Sequence, residues 1–136
     1  MSFILDASVV VAWAFSDEQH PVANAALDRL ETDDGVAPSL WWFEVRNALL
    51  AAERRQRLGQ AETTVFLQRL ARLPIALDHA PDQTLLLDLA RRHRLTVYDA
   101  AYLELATRCS LTLATLDKDL RTAATIEGLD VLAAER

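Results

Sequence analysis

Short apolar runs alternate with stretches of helical period along the whole chain, and this alternation narrows the fold more than any other feature. Phe3-Ile4-Leu5, Val36-Ala37, Ile75-Ala76-Leu77, Leu111 to Thr115 and Gly128 to Leu132 read as strands. Helical pattern fills the intervals: Ala7 to Phe15, the stretch after Pro21 to Glu31, the stretch after Pro38-Ser39 to Arg57, Glu62 to Arg72, Asp82 to His93, Asp99 to Arg108 and Asp117 to Thr125. Thr32-Asp33-Asp34-Gly35 supplies turn chemistry, Gly59 is the expected stop of the third helix, and Pro74 closes the fourth. Strands that alternate with helices are expected to form a mainly parallel sheet covered on both faces, an α/β fold. A chain of 136 residues, 51% apolar, has material for one sizeable core, so residues 1–136 are expected to form a single domain.

Composition removes several classes of function. A lone cysteine, Cys109, excludes an intramolecular disulfide and a cysteine zinc cage. His20, His79 and His93 lie far apart without metal-ligand spacing and read as exposed or helix-terminal residues with no site role. The apolar stretch from Ala7 to Phe15 is too short to span a bilayer and no basic flank precedes it, so the expected compartment is the cytoplasm, without membrane association. A formal charge of −6 argues against a protein that coats nucleic acid through an excess of Lys and Arg. It leaves room for an enzyme acting on RNA, because carboxylates that gather divalent cations count as negative in the sum while the bound ions reverse the local field.

The acids fall at positions with structural meaning. Asp6 and Asp117 each stand just beyond an expected strand, and in open α/β sheets ligands collect outside the carboxyl ends of the strands. Glu44 lies within Leu40-Trp41-Trp42-Phe43-Glu44-Val45, and Asn47 follows on the same side of that helix. Asp99 precedes the apolar helix onset Ala100-Ala101-Tyr102-Leu103. Each acid has an ordinary explanation: helix capping for Asp99 and Asp117, a turn carboxylate for Asp6, an exposed helix-face acid for Glu44. Convergence of all four changes the balance. Two such charges about 4 Å apart repel by roughly 4 kcal/mol at an effective dielectric of about 20, so the group requires a cation, and oxygen-only ligands favour Mg2+ or Mn2+.

Ile4-Leu5-Asp6-Ala7-Ser8, Glu44-Val45-Arg46-Asn47-Ala48-Leu49, Tyr98-Asp99-Ala100-Ala101-Tyr102 and Thr115-Leu116-Asp117-Lys118-Asp119 resemble, in order, the motifs of PIN domains, most of all the VapC toxin branch. Any one of them is weak; their order, spacing and context make the signal. The resemblance covers nearly the whole chain. It implies a PIN-like three-layer α/β/α sandwich and an endoribonuclease using Mg2+ or Mn2+. On that likeness Asp6, Glu44, Asp99 and Asp117 carry over as catalytic, metal-binding acids, Asp119 as a further ligand or a first-turn helix acid, and Ser8, Asn47 and Thr115 as supporting polar groups. It also implies a homodimer and a VapB-type antitoxin partner, with DNA contacted only through the antitoxin.

Arg46, Arg54, Arg55, Arg57, Arg69, Arg72, Arg91, Arg92 and Arg94 occur in local groups that read either as guides for an RNA backbone or as solvated helix faces, with Glu53 and Asp88 available to neutralise some of them. Leu40, Trp41, Trp42 and Phe43 are consecutive, so one helix cannot turn all four to a single core. They read as a partner surface or as a helix buried on two sides. Two other classes compete with the nuclease: a catalytically silent PIN-like binding module, and an acidic phosphoacceptor or phosphatase with Asp6 as the phosphorylated nucleophile. The latter lacks a second acid near Asp6 in sequence and a phosphate-pairing context for Lys118.

Overall fold

The computed structural model describes residues 1–15 and 17–133 of the chain. Strands β1 (Ser2–Leu5), β2 (Asp34–Pro38), β3 (Ile75–Asp78) and β4 (Leu113–Ala114) form one sheet in the order β3-β2-β1-β4. All neighbouring pairs are parallel. The helices among the described residues are α1 (Ala7–Ala12), α2 (Pro21–Arg29), α3 (Leu40–Arg54), α4 (Gln60–Leu70), α5 (Gln83–His93), α6 (Val97–Cys109) and α7 (Lys118–Ile126).

Parallel neighbours cannot be joined by a tight hairpin, so each pair needs a crossover, and the helical stretches supply them. Helices α1 and α2 carry the chain from β1 to β2, and α3 and α4 carry it on to β3. Helices α5 and α6 then return it to the far side of β1, where β4 pairs. The direction of travel therefore reverses between β1 and β4, which opens a crevice at their carboxyl ends. Helix α6 packs on β1, β2 and β4 with α5 and α7 beside it, while α2 meets β4 and α1 packs against α2 and α3. This is the expected three-layer α/β/α sandwich. Phe3, Ile4 and Leu5 are fully buried, which is why β1 reads as an unbroken apolar run rather than an alternating one.

Several boundaries differ from expectation. Helix α1 ends at Ala12, and the chain continues to Phe15 in tight i to i−3 turns, held by the Trp13 indole donating to the Ala23 carbonyl at 2.7 Å. Gly59 does not stop the third helix, which ends at Arg54; it opens α4, where its amide donates to Glu62 at 2.9 Å. The expected strand from Gly128 to Leu132 is reduced to one parallel bridge, Val131 to Leu113. Strand β4 is two residues long, so it offers a fifth strand only that one partner.

Gly35 lies inside β2 rather than in a turn, and the reason is space. A β-carbon there would stand 2.6 Å from Leu5 Cδ1 and 3.3 Å from Ile75 Cγ1 and Leu30 Cδ2. Leu5 immediately precedes Asp6, so crowding at Gly35 is transmitted to the strand end. Gly35→Ala is expected to lower stability by about 1–3 kcal/mol, read from urea unfolding; an unchanged midpoint contradicts the close approach.

An ion network with one buried member, Glu104, ties α6 to the end of β3. Glu104 is 1% exposed and accepts from Arg108 Nε at 2.6 Å and Nη2 at 3.0 Å. The same guanidinium reaches Asp78, at the end of β3, at 2.9 and 3.2 Å. Glu104 and Asp78 hold the Arg108 guanidinium well above its ordinary pKa, and Arg108 holds the Asp78 carboxyl below its own.

Candidate functional site

Asp6 follows β1 directly, and its amide donates to the Ala114 carbonyl at 3.0 Å, which fastens it to the end of β4. It is 7% exposed, and the neighbouring Thr115 is fully buried. Ser8 Oγ and Thr115 Oγ1 each donate to Asp6 Oδ2 at 2.7 Å. Each hydroxyl also accepts a backbone N–H at 3.0 Å, Ser8 from Leu116 and Thr115 from Asp117. With one lone pair engaged in this way, each hydroxyl directs its own proton at the carboxylate. One oxygen of Asp6 is therefore fully occupied, and no hydroxyl or amide among the described residues bonds Oδ1.

Asp117 is the N-cap of α7, its Oδ1 accepting from the Leu120 amide at 3.0 Å. Capping and placement at the crevice coexist there, because a carboxylate has a second oxygen. Asp99 is not a cap. It is the third residue of α6, and the cap is Thr96, whose hydroxyl accepts the Asp99 amide at 3.1 Å. Glu44 projects from α3, half-buried, and accepts from the Tyr102 hydroxyl at 2.5 Å. Tyr102 was missed by sequence reading; its signal is its place three residues after Asp99, on the same face of α6. Asn47 is exposed and shares a groove with Glu44 without bonding any of the acids among the described residues.

The acids act on one another. Burial lifts the Asp6 carboxyl above the ordinary aspartate value; the Thr115 and Ser8 hydroxyls pull it back, and the charges of Asp99 and Asp117 push it further up. Burial also raises Glu44, against the Tyr102 bond, with Asp6 and Asp99 adding to the rise. Asp99 is raised by burial and then by Asp117, with a smaller push from Asp119. No cationic side chain figures in any of these balances. Asp119 is exposed in the first turn of α7 and acts on Asp99 but does not figure in the balance at Asp6.

Asp6, Glu44, Asp99 and Asp117 are thus brought within electrostatic reach, but among the described residues no three His, Cys, Asp or Glu side chains converge closely enough to enclose an ion. Oxygen donors at the mouth of a crevice, unneutralised and partly solvated, still fit a hard divalent cation that keeps much of its water and takes only one or two protein carboxylates. They do not fit a closed structural cage.

A PIN domain family model matches residues 3–126. The chain belongs to the PIN domain family. Its VapC-like character follows from 34% identity over 126 residues to Ribonuclease VapC3 of Pyrobaculum aerophilum, covering 88% of this chain and 92% of that protein. The fold of this PIN domain is shared with the solved structure of PAE2754 from the same organism, at a TM-score of 0.71 and 24% identity over 97% of this chain and 92% of that one. It is shared also with FitAcB from Neisseria gonorrhoeae, at a TM-score of 0.66 and 20% identity over 98% and 97% of the two chains.

Beside the acids this PIN domain carries an apolar surface. Trp41 is buried, but Trp42 is exposed and Phe43 is 69% exposed, so the aromatic run does turn outward. Leu40, Phe43, Glu44, Leu50 and Tyr98 line a groove of about 610 Å³ there. Arg46, on the same groove, lies 3.7 Å over the Trp42 ring and donates to the Trp42 carbonyl. Of the other arginines, Arg57 is paired with Glu18, and Arg92 with both Asp88 and Glu127.

Proposed function

We propose that this PIN domain is a metal-dependent endoribonuclease, the toxin of a VapBC-type toxin–antitoxin pair. The observation that carries the reading is the set of like-charged carboxyls at the β1/β4 crevice, lifted by burial and by each other with no cationic side chain to offset them. Asp6, Glu44, Asp99 and Asp117 are the residues assigned to the Mg2+ or Mn2+ site, one or two of them bonding the ion directly and the others through its water, with Asp119 as a further ligand or a first-turn helix acid. A divalent ion bound there supplies charge stabilisation to the phosphate oxygens and eases ionisation of the attacking water.

The protein groups have distinct tasks. Ser8 and Thr115 aim the Asp6 carboxylate and occupy one of its oxygens, leaving the other to the crevice. Tyr102, kept neutral because burial holds its phenol far above the ordinary value, orients Glu44. Asp117 is anchored by its capping bond. Asn47, on the groove beside Glu44, is placed to meet substrate rather than the acids.

The apolar groove next to Glu44 is the surface we assign to a VapB-type antitoxin, which covers the acids when bound and alone contacts DNA. Residues 1–136 act as one domain, as a homodimer in the cytoplasm; no helix among the described residues is long and apolar enough to cross a membrane.

The test is purified, partner-free protein incubated with total cellular RNA and Mg2+ or Mn2+, with new ends mapped and chelator as the control. Discrete cleavage that disappears with chelator is the expected result. A second reading, the silent binding module, draws on the absence of three converging ligands among the described residues. Failure to bind Mn2+ by calorimetry, together with no cleavage, favours that module over the nuclease.

A further inference from the structure

We propose that Arg94 is a binding residue for an RNA phosphate, placed to hold the strand on the Asp119 side of the acids. The inference deepens the nuclease reading and rests on it. A groove of about 320 Å³ runs between the end of α5 and the face of α7, with Arg94, His93, Leu95, Asp119 and Thr122 among its lining. Asp119 stands two residues after Asp117 in the first turn of α7 and lines the groove, so the groove borders the acid site.

The cations around it differ in availability. Arg92 donates to both oxygens of Glu127, at 2.8 and 2.7 Å, and also to Asp88, so its charge is spent inside the fold. His93 is largely buried and lies 2.7 Å from the same Glu127. Arg94 is exposed and has no ion pair among the described residues. Arg46, the other arginine sharing a groove with an acid of the site, is engaged by Trp42.

The backbone at Arg94 favours one particular replacement. It is the C-cap of α5, in the left-handed region at φ 53° and ψ 42°. Glycine adopts that conformation without steric cost and an arginine does not. Gln56 at φ 60° and Ser110 at φ 54° share the left-handed conformation, so it marks helix ends in this fold and not a ligand site; at Arg94 it means that glycine removes the guanidinium without straining the chain. A guanidinium at the groove mouth matches a phosphate diester in charge and in its paired donors.

The test compares Arg94→Gly and Arg94→Lys in an Asp99→Asn background, where binding of a labelled single-stranded RNA is read without cleavage at several salt concentrations. Arg94→Gly is expected to weaken binding about tenfold and to flatten the dependence of log K on log salt by roughly 0.7. It is also expected to raise the melting temperature by roughly 2–4 °C through relief of the backbone. Arg94→Lys is expected to keep the salt slope and most of the affinity, with no gain in melting temperature. Loss of affinity together with gain of stability is an outcome that a structural role for Arg94 cannot produce. Affinity and slope left unchanged by Arg94→Gly overturn the assignment while leaving the nuclease intact, if the unmodified chain cleaves RNA. No RNA binding by Asp99→Asn and no cleavage by the unmodified chain overturn the nuclease reading, and this inference with it.

Discussion

Asp6→Asn is expected to reduce RNA cleavage by at least about a hundredfold while making the metal-free protein more stable. The two effects have one origin. Asp6 is a buried carboxylate pushed away from its charged form by burial and by Asp99 and Asp117. Asparagine keeps the shape and presents a carbonyl oxygen to the Ser8 and Thr115 hydroxyls, so both 2.7 Å bonds have an acceptor. What disappears is the charge, which metal needs and the metal-free fold does not. The melting temperature in chelator is expected to rise by roughly 3–6 °C. With a metal site as proposed, saturating Mn2+ is expected to reverse the order: at about a hundred times the dissociation constant, the native chain is expected to gain about 2.7 kcal/mol and the variant little.

The same charges set a pH dependence. Asp6, Glu44 and Asp99 have raised folded pKa values, so between the unfolded value and the folded one the native state holds more protons than the unfolded state. Stability of metal-free protein therefore falls as pH rises through that window, from about pH 4 upward. Asp33, Asp78 and Glu127 are lowered by their arginine partners and act oppositely, losing their contribution as pH falls through their depressed values. Thermal melts across this range, with and without Mn2+, separate the two groups: the acid-site slope should shrink in Asp6→Asn and the arginine-paired slope should persist. A variant that melts below the native chain in chelator, or gains as much from Mn2+, contradicts the placement of Asp6 at an unneutralised acid site.

Arg108→Ala carries the largest expected loss of stability, about 3–5 kcal/mol. Removal of the guanidinium leaves Glu104, 1% exposed within α6, as a buried carboxylate without a cation, and leaves Asp78 at the end of β3 without its partner. Urea unfolding measures the loss directly. Arg108→Ala combined with Glu104→Gln is expected to recover a substantial part of it, since the stranded charge is then absent. A double variant no more stable than Arg108→Ala alone assigns the loss to packing of the arginine stem and not to the charge.

Legibility of the sequence tracked how local each signal was. Phe3-Ile4-Leu5 was readable as a strand because burial on both faces leaves a short run of apolar residues with nothing polar between; Ile75-Ala76-Leu77 carries the same apolar run although β3 is an edge strand with Ala76 exposed. Asp6 was readable as a site candidate because it stands at the end of such a run, and its Ser8 support lies two residues away. Glu104 was not readable as a buried charge: its sign and helical position look like any solvated acid, and half of its network, Asp78, is on another element. Asp88, four residues before Arg92, was readable as a neutralising acid, but the second partner of Arg92, Glu127, lies 35 residues on and was not. Gly35 resembled one more turn residue after Thr32-Asp33-Asp34; only the approach of Leu5 explains it. The last expected strand failed because its single partner, β4, is two residues long, a length that apolar pattern does not report.

The order of strands also bears on when the molecule becomes active. β1 leaves the ribosome before the other strands of its sheet, yet the carboxylate that follows it, Asp6, is completed by a hydroxyl 109 residues later, on the far side of the β1/β4 crevice. Asp117 and its helix follow that hydroxyl. A nascent chain halted anywhere before β4 has the apolar heart of the sheet but only part of the acid set. A nuclease built in this order lacks its full acid set until β4 and α7 have emerged.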